Sequence, residues 1–202
     1  MMKTYTVIRN VEERIDWTKI SGVRIETWIE EPKLPVTAAA QLCWDQTHLH
    51  VFMSAEEPVI VARFKDDMSM VCRDSCLEMF ISPIAEDRRY FNFEMNPFGA
   101  SYLGFGHGRN DLVRLHPGNV RELFNIRTSI DDSSWTLQYD IPHSFIRLFI
   151  PEFDPVSGHR MRANFYKCGD DIQPEHELMW NPITNGNADF HQPEFFGELV
   201  LE

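Results

Sequence analysis

Residues 90–96 read Tyr90-Phe91-Asn92-Phe93-Glu94-Met95-Asn96, and their alternation decides the kind of fold. Successive side chains of an extended strand point to opposite faces. Phe91, Phe93 and Met95 therefore share an apolar face suited to a core, while Tyr90, Asn92, Glu94 and Asn96 share the other. This is a strand buried on one side.

The same period of two recurs along the chain. Ala40–Trp44 and Leu49–Met53 flank Asp45-Gln46-Thr47 and read as a hairpin. Further strands are expected at Ser75–Ile81, Ala100–Gly104, Asn125–Ile130, Trp135–Ile141, Met161–Lys167 and Gly197–Leu201. Asp131-Asp132-Ser133-Ser134 carries turn chemistry and makes a second hairpin. Pro142–Phe149 alone reads as a helix, short, with Pro142 in its first turn. The 12 Pro and 10 Gly fall mainly between these runs. Many short strands between turn signals point to an all-β sandwich or barrel. No repeat or linker divides the chain, so residues 1–202 read as a single domain.

The chain is long enough to bury a core without disulfides or metals, and 15 Phe, 5 Trp and 5 Tyr supply much of it. A net charge of −12 argues against nucleic acid or an anionic membrane as partner, since such binding needs Lys and Arg to neutralise phosphates. Cys43, Cys72, Cys76 and Cys168 form no C-x-x-C pair and no zinc spacing. They read as reduced, buried thiols, with a disulfide among them left open. The N-terminal residues lack the apolar core of a signal peptide and no apolar run could span a bilayer, so the expected location is cytoplasmic.

In Ser75–Ile81 the core residues are Leu77, Met79 and Ile81, leaving Glu78 on the opposite face with Cys76 and Phe80. In Arg162–Tyr166 the same logic sets Arg162, Asn164 and Tyr166 opposite Ala163 and Phe165. If these strands neighbour that of residues 90–96, one face gathers Glu78, Asn92, Glu94, Arg162, Asn164, Tyr166 and Tyr90. Carboxylates, amides and a guanidinium supply the acceptors and donors that sugar hydroxyls need. Trp180 is the best-placed flat aromatic to pack on a pyranose. An ordinary solvated sheet face would carry the same polar pattern.

These segments also carry a family likeness. Arg73-Asp74-Ser75-Cys76-Leu77-Glu78-Met79-Phe80-Ile81 resembles the D-S-x-x-E-x-F strand of family 9 carbohydrate-binding modules. Residues 90–99 and 162–166 are similar to later strands of their single-domain bacterial relatives. Trp180-Asn181-Pro182, followed by Phe190-His191-Gln192-Pro193-Glu194-Phe195-Phe196-Gly197-Glu198-Leu199-Val200-Leu201, resembles the closing segment. The likeness runs from about residue 14 to the C-terminus. It implies a β-sandwich of jelly-roll type, related to DOMON-like sandwiches, that binds ends of gluco- or xylo-configured chains without cleaving them. In that family two tryptophans clamp a terminal sugar. Trp180 matches the second and Glu78 the hydrogen-bonding glutamate, but the first falls on Val71 here. A different grip is expected: another aromatic such as Tyr90 or Tyr166 stands in, or the site is one-sided, weak or lost. The resemblance also implies structural calcium, for which no loop is dense enough in carboxylates to assign ligands. The partner expected is a mono- or oligosaccharide, and glycoside-degrading enzymes encoded separately would act beside the chain.

Rival readings are weaker. A weakly hydrolytic domain would use Glu78 and Glu94, yet nothing in the sequence suggests a desolvating pocket to separate their pKa values. The eight His form no metal motif, and His48 and His50 read as surface residues. His191 reads as structural, bonded to the last strand. Haem would need a Met–His pair, and none is singled out among nine Met and eight His. No G-x-S-x-G elbow occurs. A structural or interaction sandwich that has lost sugar binding is the main competitor.

Overall fold

The alternating segments become strands in the computed structural model, which describes residues 1–29, 34–187 and 189–202. Among the described residues the first strands are β1 (Thr4–Arg9), β2 (Gly22–Ile25), β3 (Thr27–Trp28), β4 (Thr37–Trp44) and β5 (His48–Glu56). Then come β6 (Cys76–Ser82), β7 (Tyr90–Met95), β8 (Ser101–Gly106), β9 (Val113–Arg114), β10 (Arg127–Ile130) and β11 (Ser134–Pro142). The last are β12 (Arg160–Gly169), β13 (His176–Met179) and β14 (Gly197–Leu201). Two short helices, α1 (Val120–Leu123) and α2 (His143–Arg147), connect them.

The strand order is β10-β11-β5-β4-β1-β14-β12-β6-β7-β8-β9. β1 joins the two halves: Thr4–Val7 pair in parallel with β14, and Ile8 and Arg9 with β4. The halves face each other across one apolar core. Val51, Met53, Leu137 and Tyr139 come from one half, and Met79, Phe91, Phe93 and Phe165 from the other. The rings of Phe93 and Tyr139 meet across it at 5.7 Å. The expected all-β sandwich is the observed architecture.

Both expected hairpins form, β4–β5 and β10–β11. Asp45 makes the first turn by accepting hydrogen bonds from the backbone N–H of Thr47 (2.6 Å) and His48 (2.8 Å). The helix is shorter than expected. Pro142 stays extended at ψ 132°, closing β11 and capping α2 rather than lying in its first turn. His50 is not a surface residue. It is buried, with Nδ1 2.7 Å from Asp140 and Nε2 3.1 Å from Asp45.

The largest departure concerns the polar face of β6 and β7. Both strands are buried on both faces. A second apolar cluster, with Val71, Phe80, Tyr90, Tyr166, Phe190 and Phe196, covers the side expected to be solvated. Gly104 and Gly106 let the chain after β8 lie on the sheet: a Cβ at Gly104 would stand 2.3 Å from Leu112, and one at Gly106 2.8 Å from the Asp111 carbonyl. What remains open on that face is a cavity.

Candidate functional site

Register builds the cavity floor. In the antiparallel ladders Tyr166 of β12 pairs with Glu78 of β6, Glu78 with Glu94 of β7, and Glu94 with Tyr102 of β8. One row across the sheet is thus tyrosine, glutamate, glutamate, tyrosine. Glu78, Glu94 and Tyr102 line a cavity of about 350 Å³, a size usual for small-ligand pockets. Arg109, Leu112 and Arg114 line it from the segment around β9, and Phe190 and His191 from the segment before β14. Asp170 and Glu177 add carboxylates at the β12–β13 end.

The Asp74-Ser75-x-x-Glu78 motif divides its work. Asp74 is fully buried and accepts the backbone N–H of Arg63 (2.8 Å) and Phe64 (3.0 Å) and the Asn96 amide (2.9 Å). Ser75 Oγ accepts the Val61 N–H at 3.0 Å. These two residues pin the backbone of residues 61–64, while Glu78 faces the cavity.

The floor is electrostatically unusual. Burial raises the Glu78 carboxyl well above the ordinary range, and the neighbouring Glu94 adds to this. Burial likewise lifts Glu94 to about 7, against a hydrogen bond from Asn92 that favours its anion. The Cys168 thiol donates to Glu78 Oε1 at 3.0 Å, and Asn92 Nδ2 to Glu94 Oε1 at 2.6 Å. The sequence suggested no desolvating pocket, and the structure corrects this. On the walls, Arg109 pairs with Asp189 at 2.8 Å, and Arg114 Nε donates to the Tyr102 hydroxyl at 3.1 Å.

The residues expected to bind a ligand divide into three groups. Glu78 and Glu94 come together at the floor. Tyr90, Asn92 and Tyr166 support it: Tyr90 hydroxyl meets His191 Nδ1 at 2.8 Å, and Tyr166 donates to the Phe190 carbonyl at 3.0 Å while stacking on its ring at 4.0 Å. Arg162, Asn164 and Trp180 serve elsewhere, which corrects the expectation for them. Arg162 bonds the carbonyls of Glu194 (3.1 Å) and Phe196 (2.7 Å). Asn164 spends its amide on the Asn181 backbone, accepting at 2.8 Å and donating at 2.9 Å. Trp180 is 3% exposed, on the core side of the sheet against Phe165 (5.4 Å). A ring so placed has no face to offer a sugar.

His191 is a wall residue bonded to Tyr90, not a partner of the last strand. Tyr102 on the floor row, Phe190 beside it and the cations Arg109 and Arg114 lie outside the set expected from the sequence. Only Tyr102 had a signal, since it alternates with Leu103 in its strand. The calcium implied by the resemblance needs six to eight oxygen ligands. Among the described residues, the one group of three close His, Cys, Asp or Glu donors is Cys76, Glu78 and Cys168. Two sulphurs and one carboxylate do not fit calcium.

The family model described as carbohydrate-binding family 9 matches residues 8–201. The fold is similar to that of a candidate carbohydrate-binding protein from Bacteroides uniformis, with a TM-score of 0.86, 24% identity and 100% of both chains covered. It is also similar to a family 9 carbohydrate-binding module from Caldicellulosiruptor kristjanssonii solved with cellotriose, with a TM-score of 0.70 and 16% identity over 99% of this chain and 94% of that one. The same module solved with glucose gives a TM-score of 0.70 over 99% and 96%. No curated protein matches the chain in sequence.

Proposed function

The chain belongs to carbohydrate-binding family 9, and we propose that it holds a gluco- or xylo-configured saccharide in the cavity above Glu78 and Glu94 without cleaving it. The row of two buried glutamates between two tyrosines carries this reading. Carboxyl groups accept from sugar hydroxyls, and the guanidinium groups of Arg109 and Arg114 donate to them. Tyr102 and Phe190 supply apolar ring surface to the cavity. A cavity of about 350 Å³ favours a single sugar or chain end over a continuous internal stretch. The module from Caldicellulosiruptor, solved with cellotriose and with glucose, supports the ligand class.

Titration calorimetry against glucose, xylose, cellobiose and xylobiose tests this. Saturable heat with at least one of them, lost in Glu78→Gln, is expected. No heat with any saccharide, or an unchanged isotherm in the variant, overturns the reading.

Hydrolysis is a second reading, favoured by a Glu94 carboxyl able to carry a proton near neutral pH. Glycosidase carboxyls flank the scissile bond from two sides. Here both rise from one floor as cross-strand neighbours. No nitrophenol release from aryl glucosides or xylosides is therefore expected, and release abolished by Glu94→Gln would favour hydrolysis.

A further inference from the structure

Cys76 and Cys168 face each other across the β6–β12 ladder, and Glu78 follows Cys76 on the same strand face. Donor atoms of Cys76, Glu78 and Cys168 all lie within 4.8 Å of one another, with Cys168 Sγ 3.0 Å from Glu78 Oε1. All three residues are buried. We propose that they form a metal site, selective for zinc or a similar thiophilic divalent cation, beneath the cavity floor.

The chemistry of the donors argues for this class of ion. Thiolates select zinc and its neighbours over calcium and magnesium, which prefer all-oxygen shells. A tetrahedral ion with bonds of about 2.0–2.3 Å sets its ligand atoms roughly 3.3–3.8 Å apart. The three donors, within 4.8 Å of one another, already stand close to that spacing. The ion also has a route in, because Cys168 and Glu78 line the cavity while Cys76 lies behind them. Three protein ligands leave the fourth tetrahedral position open, as in metal sites that exchange water for a ligand atom. That position faces the cavity and accepts a water or a hydroxyl oxygen of whatever occupies it. On coordination the two thiols and the buried Glu78 carboxyl each give a proton to solvent, and the three anionic ligands leave the M²⁺ site with one net negative charge, without any redox change. The proposal goes beyond saccharide binding and does not rest on it, since the metal is measured with no sugar present.

The test uses the intact, reduced, metal-free protein titrated anaerobically with Co²⁺ and then Zn²⁺. One equivalent of Co²⁺ is expected to give a thiolate-to-cobalt charge-transfer band with tetrahedral ligand-field bands, all displaced by Zn²⁺. Cys168→Ser and Cys76→Ser should each weaken binding by about tenfold or more and dim the band, and Glu78→Gln should weaken binding while keeping it. Cys43→Ser, whose thiol is buried in the other half, should leave the titration unchanged. Should a cysteine variant fail to fold, the wild-type and Cys43→Ser spectra still decide. No charge-transfer band in the wild type, or a band lost in Cys43→Ser, overturns the proposal.

Discussion

Glu78 and Glu94 stand opposite each other in the β6–β7 ladder, both almost wholly buried, at the floor of the cavity. Desolvation holds protons there that the unfolded chain would release near the ordinary value of 4.5, and Glu94 keeps its proton to about 7. Each raised carboxyl contributes stability that is complete below about 4.5 and lost as the pH rises through the folded value. Thermal melts from acid to neutral pH should show the wild-type Tm falling across this window. Glu94→Gln should flatten the fall; identical slopes would contradict the shift.

Trp180 separates a core role from a sugar-stacking one. Trp180→Phe should cost about 1–3 kcal/mol of stability by chemical denaturation, because the indole fills space against Phe165. Saccharide affinity should stay within about twofold of wild type, the site being on the other face of the sheet. A large loss of affinity at preserved fold would place the ligand on Trp180 instead.

Gly197 sets the same ring in place. A Cβ there would stand 2.5 Å from the six-membered ring of Trp180 and 3.0 Å from the Lys3 carbonyl. Neither neighbour is a flexible chain end, so Gly197→Ala should destabilise by about 1–3 kcal/mol. Denaturant midpoints of the two proteins check this.

Gly104 guards the cavity wall. Its substitution by Ala would drive Leu112 from a position 2.3 Å from the new Cβ, with Asn92 Oδ1 at 3.0 Å blocking the other side. Displacing the wall should weaken saccharide binding by about tenfold, the order that one methyl group is worth in a fitted pocket. Calorimetry on Gly104→Ala measures it.

His50 provides a second pH signature of the same sign, from an ion pair rather than from desolvation. Despite its burial, the carboxylates of Asp140 and Asp45 raise its pKa above 6.5. Its ion pairs contribute stability in full below about 6.5, and that stability is lost as the pH rises through the folded value. His50→Gln should lower Tm clearly in mildly acidic buffer and less in alkaline buffer. An equal loss at both would contradict the charged pair.

The legible part of this fold lies where a strand has one apolar face. Phe91, Phe93 and Met95 announce β7, and Leu199 and Leu201 help announce β14, whose bounds are those expected. Alternation also placed Glu78 and Glu94 on a common face. It could not show that the face is covered, because the covering residues, Leu112 and Phe190 among them, come from irregular segments without a period. Trp180 misled for a related reason. Leu178 and Trp180 face the core while Met179 faces away, but the polar start of β13, His176-Glu177, hid the strand that sets this phase. Cys76 and Cys168 come together through register between distant strands, and a sequence prints no register.

The most direct test is a crystal structure of the protein with cellobiose or xylobiose. The account predicts a sugar ring above Glu78 and Glu94 and beside Tyr102, its hydroxyls within hydrogen-bond distance of both glutamates and of Arg109 or Arg114. A saccharide bound elsewhere, with this cavity filled only by solvent, would contradict it.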